Sequence, residues 1–362
     1  MTADNNAFAR IRNLLGLATR TKPVVGVTPA DVVHRENKWR LLRYRARTEG
    51  LAFRTPILLV PSLINRHYVL DLMPGKSFAE SMVARGHDVF IVDWGTPGPE
   101  DRHLTFDDIC DRYLGRAILR ACRAGGSDQV HLLGYCLGGT LTTIHAAVRP
   151  ERVASMVALA APIDFDDGGI LSDWINRSGF SVGDMVDAFG NVPWQLMQAS
   201  FHLLVPTLPL RKAVGVIERA WDDQFLDGFF AIERWGSDNV PFPGACYRQY
   251  IQDLYVDNRL VRGEFCLSGR PADLAAIDCP LLVITFEDDH IVPAAGAKAL
   301  VDRVSSRDLE HLHLPGGHVG AVISRKASQT LWPAISEWWA ARDGQLHAVD
   351  EAGARGSLAG RP

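Results

Sequence analysis

The sequence predicts an α/β protein: a mostly parallel central sheet covered by helices, interrupted by an inserted, mainly helical cap. Three observations lead there. From about residue 56, short apolar runs alternate with turns and helix-length segments, the rhythm of parallel βαβ units. After Pro162 the rhythm stops and a stretch rich in Trp, Phe, Gly and Pro begins. At Leu281 the rhythm resumes.

Taken in order, residues 1–34 form an N-terminal extension. Its start, MTADNNAFARIRNLLGLATRTK, has too short an apolar stretch for a secretory signal. It reads as a short basic amphipathic helix that docks or frays rather than as a membrane anchor. The first part of the core spans 35–164. Trp39–Arg47 is an antiparallel lead-in strand, and Ile57–Val60 a buried strand ended by Pro61. Ser77–Arg85 is a helix closed by Gly86, a suitable C-terminal cap. Asp88–Val92 is the next strand, and Phe106–Cys122 a helix opened by Thr105. Val130–Leu133 is a strand, Leu137–Val148 a helix stopped before Pro150, and Val153–Ala160 a strand. The cap spans 165–265, with helices expected at Gly183–Phe189 and Leu210–Trp221. The second part of the core, 266–342, continues with the strand Leu281–Thr285, the helix Ala294–Val304, the strand Leu309–Leu314 and the helix Ala327–Ala341. The Gly/Ala/Arg-rich tail, 343–362, reads as disordered.

Composition narrows the function. Of 362 residues, 47% are hydrophobic and 22% charged, as in ordinary globular proteins. Lys plus Arg number 38 against 42 for Asp plus Glu, a net charge of −4. A nucleic-acid binder should show a basic excess. No apolar run approaches the ~20 residues of a membrane span. The six cysteines include no CxxC pair, so neither a disulfide scaffold nor a structural zinc is expected, and a reducing cytoplasm is the default compartment. No His/Asp/Glu cluster has metal-ligand spacing, so no metal is expected. There is no GxGxxG or GxxxxGK[ST], so no nucleotide cofactor is expected either.

One constellation carries chemistry. The strand Val130–Leu133 runs into Gly134-Tyr135-Cys136-Leu137-Gly138-Gly139 and then a helix. This is the G-x-nucleophile-x-G turn with Cys in place of Ser. Glycines flank the nucleophile because its backbone is strained and its neighbours approach closely. The turn sets Cys136 at a helix N-terminus, where the dipole favours negative charge. The backbone N–H of Leu137 is the first expected oxyanion donor. The second comes from the loop after Ile57–Val60, at Leu63-Ile64-Asn65, and is assigned to Ile64.

The partners follow in the order nucleophile, acid, histidine. The strand Leu281–Thr285 ends in Phe286-Glu287-Asp288-Asp289-His290, and Leu309–Leu314 ends in Pro315-Gly316-Gly317-His318. An acid at one strand end can orient an imidazole at the next. Neighbours on an extended loop point apart, so only one of Asp288 and Asp289 faces the site. His290, His131, His145, His311 and His313 read as packing or structural residues. The order and placement point to an α/β-hydrolase fold with a site of Cys136, His318 and one of the two acids, Asp288 or Asp289. Cysteine leans the chemistry toward acyl transfer, because exchange between thioesters is nearly isoenergetic and keeps the acyl group activated. A cap with Trp174, Trp194, Trp221 and Trp235 could exclude water and favour transfer over hydrolysis.

The chain resembles the polyhydroxyalkanoate synthases over about residues 35–340. The resemblance rests on Val60-Pro61-Ser62-Leu63-Ile64-Asn65 with Tyr68–Leu72, Val92-Asp93-Trp94-Gly95, Gly134–Thr140, Tyr247–Leu260, Asp289-His290-Ile291-Val292-Pro293 and Gly317-His318. The length and Leu104–Asp108 resemble the class III catalytic subunit, whereas Pro241–Gly244 is closer to class I. The resemblance implies polymerisation of (R)-3-hydroxyacyl-coenzyme A into polyester with release of coenzyme A. It makes Cys136 the nucleophile that carries the growing chain, His318 the general base and Asp289 the acid that helps activate the 3-hydroxyl. It also implies a homodimer, a second non-catalytic subunit and work at the polymer granule surface, with no cofactor beyond the substrate. The rival readings are a cysteine thioesterase or depolymerase on the same residues, and a non-catalytic granule-associated protein.

Overall fold

The computed structural model describes residues 2–46, 50–166, 169–177, 181–204 and 207–343. Helix α1 (Thr2–Gly16) is followed by the hairpin β1 (Ala30–Glu36) and β2 (Trp39–Tyr44), then β3 (Ile57–Val60), α2 (Phe78–Ala84), β4 (Val89–Asp93), α3 (Leu114–Gly125), β5 (Val130–Tyr135), α4 (Leu137–Val148) and β6 (Val153–Leu159). The sheet has eight strands in the order β1-β2-β4-β3-β5-β6-β9-β10, with β9 at Leu281–Phe286 and β10 at Leu309–Leu314. From β4 to β10 every pairing is parallel. The β1–β2 and β2–β4 pairings are antiparallel. This is the expected α/β-hydrolase architecture.

Every residue of β3, β4, β5 and β9 is buried, which is why these strands read as continuous apolar runs. Alternation sends Leu58 and Val60 to the face covered by α3 and α4. It sends Ile57 and Leu59 to the opposite face, with Phe78, Trp332 and Trp339.

Several elements differ from expectation. Strand β1 is half-solvated and charged (Asp31, His34, Arg35, Glu36), so it shows no apolar run, and it crosses the expected extension boundary at residue 34. The lead-in strand ends at Tyr44, and residues 47–49 lie outside the described residues. The helix opened by Thr105 starts at Phe106, passes into a π-wound segment, Asp108–Tyr113, and runs on to Gly125. Thr105 does cap it: Asp108 N–H donates to Thr105 Oγ1 at 3.1 Å and Thr105 N–H to Asp108 Oδ2 at 2.9 Å.

The cap holds α5 (Gly169–Arg177), α6 (Val182–Phe189), α7 (Trp194–Leu204), α8 (Leu208–Arg219), α9 (Asp223–Ser237) and α10 (Gly244–Gln249). A second π-wound segment, Tyr250–Val256, follows. Of these only α6 and α8 were expected. A small hairpin, β7 (Cys266–Leu267) and β8 (Arg270–Pro271), leads back to the core. Helix α11 covers only Ala294–Lys298. The chain then tightens into three-residue turns, such as Val301 N–H to Lys298 O at 2.8 Å.

The last expected helix is preceded by α12 (Gly320–Ile323) and split into α13 (Arg325–Gln329) and α14 (Leu331–Ala340). Pro333 has no N–H for the carbonyl four residues back, so it is tolerated only in a helix's first turn. Helix α1 docks on the cap: Asn13 Nδ2 donates to Ala220 O at 2.8 Å, and Arg20 pairs with Asp227 at 2.7 Å. Asp343 belongs to the core, accepting from Thr55 N–H at 2.7 Å. The rest of the expected disordered tail, 344–362, lies outside the described residues. Among the described residues no helix is long and apolar enough to cross a membrane.

Candidate active site

The turn between β5 and α4 places Cys136 at φ 56°, ψ −130°. Such a left-handed backbone costs a non-glycine residue about 1–3 kcal/mol. The turn closes only because its neighbours lack side chains. A Cβ on Gly138 would collide with the carbonyl oxygen of Val60, and one on Gly134 with Thr142 and Gly139. Cys136 N–H is tied to Leu159 O at 3.0 Å. Strands β3 and β6 thus hold the thiol at the sheet's C-terminal edge.

Asp289 and His318 meet there. His318 Nδ1–H donates to Asp289 Oδ2 at 2.7 Å. The other carboxylate oxygen, Oδ1, accepts from Ile291 N–H at 2.9 Å and Val292 N–H at 2.8 Å. The Asp289 side chain is 1% exposed, whereas Asp288 and His290 are exposed. That difference decides between the adjacent acids. Tyr135 donates its hydroxyl to His318 O at 3.1 Å and stacks on the imidazole at 5.2 Å between ring centres. Cys136 and His318 line one cavity. Burial by itself would lower the imidazole's pKa. The charge of Cys136 and the hydrogen bond to Asp289 outweigh it, and His318 is pushed up to about 10.

The two expected oxyanion donors are placed differently. Leu137 is the first residue of α4, where an N–H has no intrahelical acceptor. Ile64 lines the same cavity as Cys136 and Leu137, but its N–H donates to Ser62 Oγ at 3.2 Å. Use of Ile64 as a donor therefore requires exchanging that long bond for the substrate's oxygen.

Cys136 lies on a wall shared by two cavities. One, of about 170 Å³, is lined by Trp174, Met197, Phe201, Tyr250, Tyr255 and Val292, among others. The other, of about 150 Å³, is lined by Asn65, Arg66, Gln198, Trp235, Asn239 and His318, among others. Of the four cap tryptophans, Trp174 and Trp235 reach these cavities. Trp221 is partly exposed at the surface and Trp194 lines a separate groove. Tyr250, Tyr255 and Phe201 were not singled out from the sequence. For the tyrosines a signal existed in the Tyr247–Leu260 stretch.

Four of the other histidines weighed in the sequence are tied to neighbours, whereas His290 is exposed. His131 bonds Ser155 Oγ at 2.8 Å and His145 bonds Cys110 O at 2.8 Å. His311 and His313 share Thr285 Oγ1, each at 2.9 Å. Among the described residues, no group of three or more His, Cys, Asp or Glu could hold a metal ion.

A parallel sheet, a cysteine at a strained strand-to-helix turn and a buried His–Asp pair beyond the ends of β9 and β10 together define the α/β-hydrolase class. A family model described as alpha/beta hydrolase fold matches residues 55–322. A second, described as Poly-beta-hydroxybutyrate polymerase (PhaC) N-terminus, matches residues 21–82. The chain is 39% identical over 320 residues to the poly(3-hydroxyalkanoate) polymerase subunit PhaC of Haloferax mediterranei, across 88% of this chain and 65% of that protein. It is 36% identical over 317 residues to the subunit of the same name from Allochromatium vinosum, across 86% of this chain and 88% of that protein. Among solved structures, a putative non-heme bromoperoxidase, BpoC, of Mycobacterium tuberculosis is similar in fold alone: TM-score 0.54 at 14% identity, covering 86% of this chain and 98% of that one. The chain belongs to the poly(3-hydroxyalkanoate) polymerase (PhaC) family.

Proposed function

We propose that the protein polymerises (R)-3-hydroxyacyl-coenzyme A into polyhydroxyalkanoate, releasing coenzyme A, with the chain carried as a thioester on Cys136. The observation that carries this reading is a buried His318, bonded to Asp289 at 2.7 Å, that lines one cavity with Cys136, in a chain of the PhaC family. His318, pushed up to about 10, already holds the thiol proton at neutral pH, and the sulfur attacks the thioester carbonyl. The tetrahedral oxyanion forms against Leu137 N–H, joined by Ile64 N–H once it leaves Ser62. Coenzyme A departs with the proton from His318, leaving the acyl group on Cys136. The 3-hydroxyl of an incoming hydroxyacyl-coenzyme A then gives its proton to His318 and attacks that thioester. The Cys136 C–S bond breaks and the sulfur takes the proton back from His318. The chain, one ester longer and now on coenzyme A, is returned to Cys136 by the first step with release of that coenzyme A.

Both oxygens of Asp289 are engaged, one by His318 and one by two backbone N–H groups. That supports an orienting role, with the 3-hydroxyl proton passing to His318. The same reading makes the enzyme a cytoplasmic homodimer with a non-catalytic second subunit, acting at the surface of its polymer granule and needing no cofactor. Leu210, Val214 and Ile217, exposed on one face of α8, offer an apolar surface for such contacts.

The test is to mix purified protein with (R)-3-hydroxybutyryl-coenzyme A, follow free thiol, and collect any insoluble polyester. Thiol release with polyester is expected. Release with only soluble 3-hydroxybutyrate would make the protein a thioesterase. No release, even with longer acyl chains, would overturn the enzymatic reading.

A further inference from the structure

The cap adds a second polar feature beside Cys136. Tyr250–Val256 is wound as a π-helix, whose backbone bonds span five residues rather than four. In an α-helix, residues five apart lie about 140° apart around the axis. The wider winding brings them onto one face. Tyr250 and Tyr255 are accordingly neighbours: the Tyr250 hydroxyl donates to Tyr255 Oη at 3.4 Å, and the rings meet edge-on at 5.4 Å. Phe242 stacks on Tyr250 at 5.9 Å and Phe165 meets Tyr255 edge-on at 4.7 Å, so both rings are held in place.

Both tyrosines line the Cys136 cavity, whose other walls include Trp174, Met197, Phe201 and Val292. Burial raises both phenols above their ordinary value, and Cys136 adds to the rise in each. Both therefore remain O–H donors across the working range. A pocket for a plain hydrocarbon chain gains nothing from two hydroxyls in its wall, whereas an oxygen on the bound chain can exchange hydrogen bonds with them. A 3-hydroxyacyl group offers one oxygen that a plain acyl group lacks, two carbons beyond the carbonyl bound to sulfur. His318 lines the second cavity, so the attacking hydroxyl approaches from that side and the first cavity holds the acyl group already on Cys136.

We propose that the Tyr250–Tyr255 hydroxyl pair determines specificity by hydrogen-bonding the oxygen on the third carbon of the acyl group held on Cys136. That oxygen is a hydroxyl in a single unit and an ester oxygen in a grown chain. The inference rests on the polymerase reading. It is tested by single-turnover release of coenzyme A from (R)-3-hydroxybutyryl- and butyryl-coenzyme A, which differ only in that oxygen. The wild type should prefer the hydroxylated thioester. Tyr250→Phe and Tyr255→Phe, which keep the rings, should each lower that preference about tenfold, the value of one hydrogen bond. A purely structural role would slow both thioesters together and leave the ratio unchanged, which overturns the proposal. An absence of preference in the wild type overturns it without any variant. No release from either thioester by the wild type removes the polymerase reading itself, and the proposal with it.

Discussion

Replacing Asp289 by asparagine separates its orienting role from its packing role. The side chains have the same shape. The amide oxygen can keep the bonds from Ile291 and Val292, now 2.9 and 2.8 Å, so the loop should hold. The amide NH2 then faces His318 Nδ1, where a carboxylate oxygen stood at 2.7 Å. Two donors cannot bond, so Nδ1 must become the acceptor and the ring proton moves to Nε2, toward Cys136. A base with its proton on the wrong nitrogen cannot accept one from the thiol. In a serine protease the equivalent exchange lowers kcat by about 10⁴, and a loss of about 10³–10⁴ is expected here. The change also trades a charge-assisted bond for a neutral one, worth about 1–2 kcal/mol of stability. Coenzyme A release from (R)-3-hydroxybutyryl-coenzyme A measures the first effect and urea unfolding the second. A folded Asp289→Asn protein retaining a third or more of wild-type turnover would refute the reasoning.

Three further outcomes follow from the same geometry. At φ 56°, Cys136→Gly should be more stable than Cys136→Ala by about 1–3 kcal/mol, reversing the usual order of these residues, while both lose coenzyme A release; equal or inverted midpoints in urea would remove the strain argument. Gly138→Ala places a methyl against the Val60 carbonyl and should cost more than about 4 kcal/mol or prevent folding, so a soluble variant with a wild-type unfolding midpoint would contradict the close approach of β3. His318 is raised, to about 10, so its protonated form should persist as pH rises through neutrality. Coenzyme A release should then fall above about pH 10, as His318 loses the proton it hands to the leaving sulfur. In Cys136→Ala the main raising influence is gone, and imidazole NMR should show its titration moved to lower pH; an unchanged titration would disprove the coupling.

What could be read from the sequence follows physical lines. Helix α4 was bounded by Gly134-Tyr135-Cys136 and Pro150, and its observed limits, Leu137–Val148, are the expected ones. The buried strands announced themselves as apolar runs. Strand β1 did not, because an edge strand with Asp31, His34, Arg35 and Glu36 carries no such run. Asp108–Tyr113 lies within the expected helix Phe106–Cys122, but its π winding, and the segment Tyr250–Val256 altogether, escape a search for helical periodicity, which assumes 3.6 residues per turn. For the site, the positions of Cys136, an acid at 288 or 289 and His318 after β5, β9 and β10 were legible from order and spacing. Order and spacing left Asp288 and Asp289 open, the resemblance chose Asp289, and side-chain burial agrees with that choice; the bond from Ile64 N–H to Ser62 needed loop geometry. The walls of the two cavities depend on how the cap folds back over Cys136, which short-range pattern does not encode.

The central claim, that the growing chain is held on Cys136, is tested most directly by quenching the protein in acid seconds after mixing with (R)-3-hydroxybutyryl-coenzyme A. Digestion and mass spectrometry of the cysteine peptides follow. All six cysteines are free thiols in the structure, so each reports. The account predicts a ladder of 3-hydroxybutyryl units on the peptide containing Cys136, and none on the other five. Polymer formed with Cys136 unmodified, or a ladder on another cysteine, would contradict it.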